Sequence, residues 1–222
     1  MTKKTILFSL LALLALFICP VSFSGQEPQD IQLPKPQTDG GKPLMQALML
    51  RQSSREFSSE KLPLQVLSNL LWAADGVNRP DSGKRTAPSA MNVQNIDIYA
   101  AMADGLYLYD PVGHILKLVL KDDVRAATGG QDFVKEVPLN LIFVADYSKM
   151  RRGTDEDKAL YSGAHVGFIS QNVYLCCASE GLATVVRGLV DKDTLAKTIN
   201  LRADQKIILA QSVGYPKKSE TK

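Results

Sequence analysis

The stretch TDEDKALYSGAHVGFISQNVYLCCASEG, residues 154–181, is the longest helical pattern in the chain, and any fold must give it a face to lie on. Thr154 or Asp155 can cap its first free N–H groups, and Asp155, Glu156 and Asp157 place negative charge where the helix dipole favours it. Gly181 supplies a residue that stops it. The segments around it read differently. VPLNLIFVADY (137–147) is a near-continuous apolar run, the pattern of a buried strand. NIDIYAAM (95–102) alternates as a strand, and GLYLYDPVGHILKLVL (105–120) is two alternating arms around Asp110-Pro111-Val112-Gly113, a hairpin. LATVVRGL (182–189) and QKIILAQSVGYP (205–216) add two strands. KPLMQALMLR (42–51), PLQVLSNLLWAA (63–74), DDVRAAT (122–128) and DKDTLAKTI (191–199) add helices, with Leu64, Leu67, Leu70 and Leu71 on one face of the second and Trp72 expected in the core. Helices and strands mix without strict βαβ alternation, so the expected class is α+β, one sheet flanked by helices.

The chain has 222 residues, 45% of them hydrophobic, enough to bury one sizeable core. Its first 24 residues stand apart. Lys3 and Lys4 precede the apolar run Ile6–Cys19, and small residues follow at Ser22–Ser24, which reads as a secretory signal peptide over 1–24. An uncleaved anchor is the alternative; the run is short for a span and Pro20 follows it closely. Ile18 precedes Cys19 where lipidation needs a small residue, and no twin-arginine pair is present, so general export to the periplasm is expected, with no stable membrane insertion after cleavage. Residues 25–41, rich in Pro, Gln and Gly, read as a linker or surface arm, and residues 42–222 as the folded domain. Two lysines and no acids leave with the signal, so formal charge falls from +3 to +1. That near-neutral surface carries no basic stripe for nucleic acid. Cys176 and Cys177 are adjacent, which rarely satisfies disulfide geometry, and they read as buried packing.

Three short segments carry possible chemistry. In RQSSREF (51–57) an extended backbone would project Arg51, Ser53 and Arg55 to one side, which suits a phosphate; a solvated loop with Glu56 or Glu60 as ion partner is the plainer reading. In APSAMNVQ (87–94), Pro88 fixes a bend, Ser89 and Ala90 let a planar ligand approach, and Asn92 and Gln94 each offer a donor and an acceptor; a polar turn before a strand is the alternative. In TVVRGL, Gly188 could let a ligand lie against the backbone, or simply end a strand. His114 reads as a surface hairpin residue and His165 as a packed helix residue. No histidines and acids share metal spacing, so no metal is expected, and no nucleophile elbow, P-loop or C-x-x-C is present. Lys217 or Lys218 in the tail could reach a phosphate.

Taken in order, the R-x-S-x-R-x-F loop, the helix ending LLWAA, APSAxNxQ, AHVGFISQNVYLCCASEGLAT and SVGYP resemble the FMN-dependent nitroreductase family over roughly Lys42–Pro216. WAADGVNRPDSGKRTAPSA with GLYLYDPVGH is especially similar to the branch holding the azoline (thiazoline/oxazoline) dehydrogenases. The resemblance implies a central, mostly antiparallel sheet flanked by helices, an intertwined homodimer, and FMN held at the dimer interface. It implies that Arg51, Ser53 and Arg55 contact the FMN phosphate, ribityl chain and ring edge, and Asn92 the ring or ribityl chain. Pro88, Ser89 and Ala90 would contact flavin from the partner subunit. Backbone at Arg187 and Gly188 would lie near the reactive N5 edge, and Lys217 or Lys218 would be a late phosphate contact. No catalytic side chain is implied, because flavin N5 carries the chemistry between a reduced donor and a small-molecule acceptor. A non-catalytic flavin-binding module, or an azoline-type dehydrogenase acting on a peptide, are the alternatives.

Overall fold

The structure, a computed structural model, describes residues 29–218. The expected signal peptide over 1–24 and the start of the arm lie outside the described residues. In chain order the elements are β1 (Ile31–Gln32), α1 (Leu44–Leu50), α2 (Leu64–Asp75), β2 (Val77–Arg79), β3 (Lys84–Arg85), β4 (Ile96–Met102), β5 (Gly105–Asp110), β6 (Ile115–Leu120), β7 (Leu139–Asp146), α3 (Asp155–Glu180), β8 (Ala183–Arg187), α4 (Lys192–Thr198) and β9 (Gln205–Gly214).

The apolar run 139–146 becomes β7, with every residue buried. It lies between β4 and β9 in a seven-stranded sheet ordered β1-β6-β5-β4-β7-β9-β8, and every pairing in that sheet is antiparallel. Because strand side chains alternate, Leu139, Leu141, Phe143 and Ala145 face one core, with Ile98 and Ala100 of β4 and Leu67, Leu70 and Leu71 of α2. Ile142 and Val144 face a second core with Tyr99, Ala101, and Leu195 of α4. Burying each large side chain stabilises the fold by about 1.5–3 kcal/mol, and β7 does so on both faces. The expected α+β class with helices flanking one sheet is therefore observed.

Helix α3 spans ~39 Å at 1.5 Å per residue. Its start is a capping box: Thr154 Oγ1 accepts from Asp157 N–H at 3.2 Å, and Asp157 Oδ2 accepts from Thr154 N–H at 2.9 Å. Gly181 ends it at φ 72°, a left-handed conformation that glycine adopts without cost. Ser162, His165, Val166, Ile169, Val173 and Cys177 form its buried stripe.

Several expectations change. The described part of the arm, residues 29–41, is stitched to the sheet: β1 pairs with β6 in the register Ile31↔Leu116, and Leu33 is only 3% exposed. The turn-rich stretch after α2 contains the small hairpin β2–β3, where Arg85 forms an ion pair with buried Asp75. Burial raises the Asp75 carboxyl to about 6 even with Arg85 opposing it. Trp72 is half-buried rather than core; its indole N–H donates to Val77 O at 3.2 Å, which keeps it at the rim. The segment 122–128 forms only a short 3-10 helix, Arg125–Thr128. His114 is half-buried, hydrogen-bonded to Ser68 Oγ at 2.7 Å and Tyr109 OH at 3.0 Å, because the hairpin folds back onto α2. Cys177 is buried and Cys176 half-buried, and burial pushes the Cys176 thiol up to about 12, so both are packing residues rather than nucleophiles.

Candidate active site

Edge strand β8 does not stand open. The 53–58 segment starts beside it and continues along the tail that follows β9. Ser54 N–H donates to Thr184 O at 2.9 Å, Ser58 N–H to Tyr215 O at 2.9 Å, and Lys217 N–H to Glu56 O at 3.2 Å. Phe57 and Pro216 form an isolated antiparallel bridge. The RQSSREF segment is thus extended, as its alternation requires if Arg51, Ser53 and Arg55 are to share a side.

Tyr174 of α3 organises the start of this segment. Its hydroxyl oxygen accepts from Val186 N–H at 3.0 Å and lies 2.8 Å from Ser53 Oγ, while the Arg51 guanidinium sits 5.4 Å from its ring centroid. A cation–π contact of this kind contributes about 0.5–1 kcal/mol, little enough to be exchanged for a bidentate phosphate. None of the ion pairs among the described residues involves Arg51, Arg55 or Lys217, so the Glu56 or Glu60 pairing weighed above is not formed. A cavity of about 330 Å³ lies on the Gln52 and Ser54 side of the segment, lined also by Tyr174, Thr184 and Pro216; Arg51, Ser53, Arg55 and Lys217 do not line it. Arg51, Arg55 and Lys217 are cations without ion-pair partners among the described residues, and Ser53 carries a hydroxyl on the same segment as the two arginines.

At the other end of β8, Arg187 and Gly188 divide their roles. The Arg187 side chain turns inward and is 3% exposed. Its Nε donates to Ser212 Oγ at 3.0 Å, Nη1 to Thr128 O at 2.7 Å and Nη2 to Asn140 Oδ1 at 2.9 Å. All three acceptors are neutral. Burial lowers the guanidinium to about 10, so it remains charged at neutral pH without a carboxylate partner. Gly188 is exposed and presents only backbone. A ligand at Gly188 would therefore meet peptide groups, with a fixed positive charge behind them.

The APSAMNVQ segment is separate. Pro88 and Asn92 are exposed, and Ser89 and Ala90 half-buried. Met91, Asn92 and Gln94 have φ of 53°, 54° and 47°, left-handed conformations that side-chain-bearing residues rarely adopt. Ser89 Oγ accepts from Gln94 N–H at 3.0 Å, and Gln94 Nε2 donates to Gly83 O at 2.9 Å. The Ala90 N–H is held by His165, which lies nine residues before Tyr174 on α3, about 14 Å along the axis. The structure thus joins Arg51 and Ser53 through Tyr174, carries Arg55 on the same extended segment and sets the Lys217 backbone against Glu56, places Arg187 and Gly188 at the end of β8, and leaves Pro88–Asn92 apart from them within one chain.

Sequence reasoning missed Tyr174, the inward guanidinium of Arg187 and the anchoring by His165. The first sits in an apolar helix stretch, where nothing marks a tyrosine as a tether until β8 is placed beside it. Arg187 follows an apolar strand, and an arginine there reads as the strand's exposed end.

An antiparallel sheet packed between helices, with unpaired cations beside its edge strand, is a scaffold for holding an anionic group. The chain belongs to the nitroreductase family, whose family model matches residues 48–215. A nitroreductase-like protein of Methanocaldococcus jannaschii is 32% identical over 169 residues, covering 72% of this chain and 85% of that one. A nitroreductase-like crystal structure from Ralstonia eutropha has 45% identity and a TM-score of 0.83, over 87% of this chain and 92% of that one. A third, from Desulfovibrio desulfuricans and in complex with FMN, has a TM-score of 0.59 at 19% identity, over 82% of this chain and 91% of that one. At that identity it speaks to fold alone.

Tyr174→Phe removes the hydroxyl that joins Val186 to Ser53. It is expected to lower unfolding stability by about 1 kcal/mol in urea titration. An unchanged midpoint would show that the hydroxyl tethers nothing.

Proposed function

We propose that this nitroreductase-family oxidoreductase is an exported, FMN-dependent homodimer that passes electrons from a reduced donor to a small-molecule acceptor. The observation that carries the reading is the set of unpaired cations Arg51, Arg55 and Lys217 beside Ser53, with the side-chain-free Gly188 at the end of the same strand. When bound, FMN would supply hydride and electron transfer at its N5. The residues here bind and orient. Arg51, Arg55 and Lys217 would neutralise the phosphate, and Ser53 would donate to it or to the ribityl chain. Gly188 would admit the ring to the backbone, where the buried Arg187 charge favours an electron-rich ligand. Lys218, also exposed, is the alternative tail contact.

Asn92 and the Pro88–Ala90 turn would complete the site from the partner subunit, which accounts for their separation from Arg51 within one chain. The dimer reading is supported by apolar surface that a monomer would leave in water. On α1, Met45 is 72% and Met49 86% exposed, and on α3, Leu160 is 71% and Phe168 47% exposed. Kinship to the azoline dehydrogenase branch rests on the quoted motifs, and a peptide substrate would follow from it.

Arg51→Ala and Arg55→Ala are each expected to weaken FMN binding by about 1.5–3 kcal/mol, read by flavin fluorescence quenching. Unchanged affinity in both would remove the phosphate site. Mature protein should scatter light as a dimer; a monomer that binds FMN tightly would contradict the shared site. Free NAD(P)H is not expected beyond the inner membrane, so a quinol or redox partner is the proposed donor. Stopped-flow reduction should therefore be slow with NADPH at micromolar concentration, and fast reduction would overturn that choice. Bound flavin that no acceptor reoxidises faster than oxygen would identify a non-catalytic flavin-binding module instead.

A further inference from the structure

His165 is 2% exposed and lies halfway along α3, yet it makes two specific hydrogen bonds. Its Nε2 is 2.8 Å from the Ala90 amide nitrogen, and its Nδ1 is 2.7 Å from Asn95 Oδ1. A backbone amide can only donate, so Nε2 must carry the lone pair and Nδ1 the hydrogen. Asn95 is oriented for this role, because its Nδ2 donates to Ser162 Oγ at 2.9 Å and to Met150 Sδ at 3.2 Å. One neutral tautomer is therefore selected, and it ties the 89–94 turn to the long helix. That turn holds three of the five non-glycine residues with positive φ among the described residues, so it needs an external hold.

We propose that His165 is a positioning residue for the 88–94 turn, holding it as an acceptor for the Ala90 N–H, and that protonation of the imidazole releases the turn and with it the flavin. The proposal rests on the reading that this turn meets FMN. A protonated ring has a hydrogen on both nitrogens. Nε2–H would then face Ala90 N–H, donor against donor, at a residue only 2% exposed. Burial lowers the His165 pKa, and no charged group adds to that shift. The ionisable groups on surrounding elements are engaged elsewhere. Asp75 pairs with Arg85, and Asp97 pairs with Lys149 at 2.7 Å; Tyr161, one turn before His165, stacks its ring on the imidazole at 6.4 Å. Since the folded state prefers the neutral ring, the hold is complete above the ordinary histidine pKa of about 6.5 and is lost as pH falls through the lower, folded value. Asp75 acts in the opposite sense: its raised pKa of about 6 means that protonating it favours the folded state, so wild type must be compared with a variant rather than across pH alone.

His165→Gln is that variant. Its amide can accept from Ala90 and donate to Asn95, but it does not ionise. Two measurements on the full mature protein separate the links. In flavin-free protein, protection of the Ala90 amide from hydrogen exchange, corrected for the intrinsic rate, should fall between pH 7.5 and 5.0 in wild type and hold in His165→Gln. With FMN as ligand, wild-type affinity should fall relative to His165→Gln, approaching about tenfold per pH unit below the imidazole pKa, the limit for one linked proton. The FMN phosphate titrates in this range too, but equally for both proteins. Parallel Ala90 protection in the two proteins would overturn the proposal. Opening of Ala90 in wild type alone, with flavin affinities that stay parallel, would also overturn it, because the turn would not govern the cofactor. If neither protein binds FMN at pH 7.5, the flavin reading fails, and the hold is judged on Ala90 alone. Should His165→Gln not fold, Asn95→Leu, which frees the imidazole from its fixed tautomer, must lower Ala90 protection at pH 7.5; intact protection there would overturn the proposal.

Discussion

A strand buried on both faces has to be roofed twice, and β7 is such a strand. Its alternation sends Leu141 and Phe143 toward α2 and α3, and Ile142 and Val144 toward α4 and the Arg125–Thr128 turn. A half-buried strand would have tolerated a sheet with one wet face; this one does not. The same strand sets the interior polar site. Asn140 lies on the second face, in register with Ser212 of β9, and that row reaches the Arg187 guanidinium. The arginine can be buried without a carboxylate because neutral acceptors from three elements meet it at hydrogen-bond distance. Its position at the end of β8 then puts a fixed charge behind Gly188.

The edge of that sheet is managed with backbone rather than with charge. An exposed edge strand offers unpaired N–H and C=O groups to any passing chain. Here Ser54 takes a β8 carbonyl, Tyr174 takes the Val186 amide, and the tail folds back on Phe57 and Glu56. Closing the edge in this way also sets Arg51, Ser53 and Arg55 on one segment, with the Lys217 backbone against its end. If these residues hold the phosphate as proposed, edge protection and ligand binding are one structural act, joined at Tyr174.

What was legible in the sequence follows from what each signal measures. Periodicity reports burial, so β4, β7, β9, α2 and α3 could be read, and the α3 cap and stop could be read from Thr154, Asp157 and Gly181 because capping is local chemistry. Ile31–Gln32 could not be read as a strand: two residues carry no period, and β1 exists only because β6 offers an edge. Trp72 was expected in the core on hydrophobicity, but its N–H needs an acceptor and finds it at the rim. His114 was expected at the surface because its hairpin looked isolated; Ser68 and Tyr109 come from elements that only the fold brings beside it. At the candidate site, extended alternation is a local property and was visible at Arg51, Ser53 and Arg55. The tether that fixes them is 121 residues away from Ser53, and no local pattern encodes such a distance.

The cations around β8 are placed by backbone rather than by acids. Some cations elsewhere are paired, such as Lys61 with Asp104, Lys117 with Asp110, Lys149 with Asp97 and Arg202 with Asp146, each at 2.7 or 2.8 Å. Around β8, Arg51 lies against the Tyr174 ring, and Arg55 and Lys217 form no ion pair among the described residues. What they share is an extended segment beside an edge strand that leaves their charges available to an anion, the role proposed for them. The 88–94 turn, with three side-chain-bearing residues at positive φ, would close over that ligand from the other subunit. Cofactor, turn and dimer would then be linked through binding free energy, each favouring the other two.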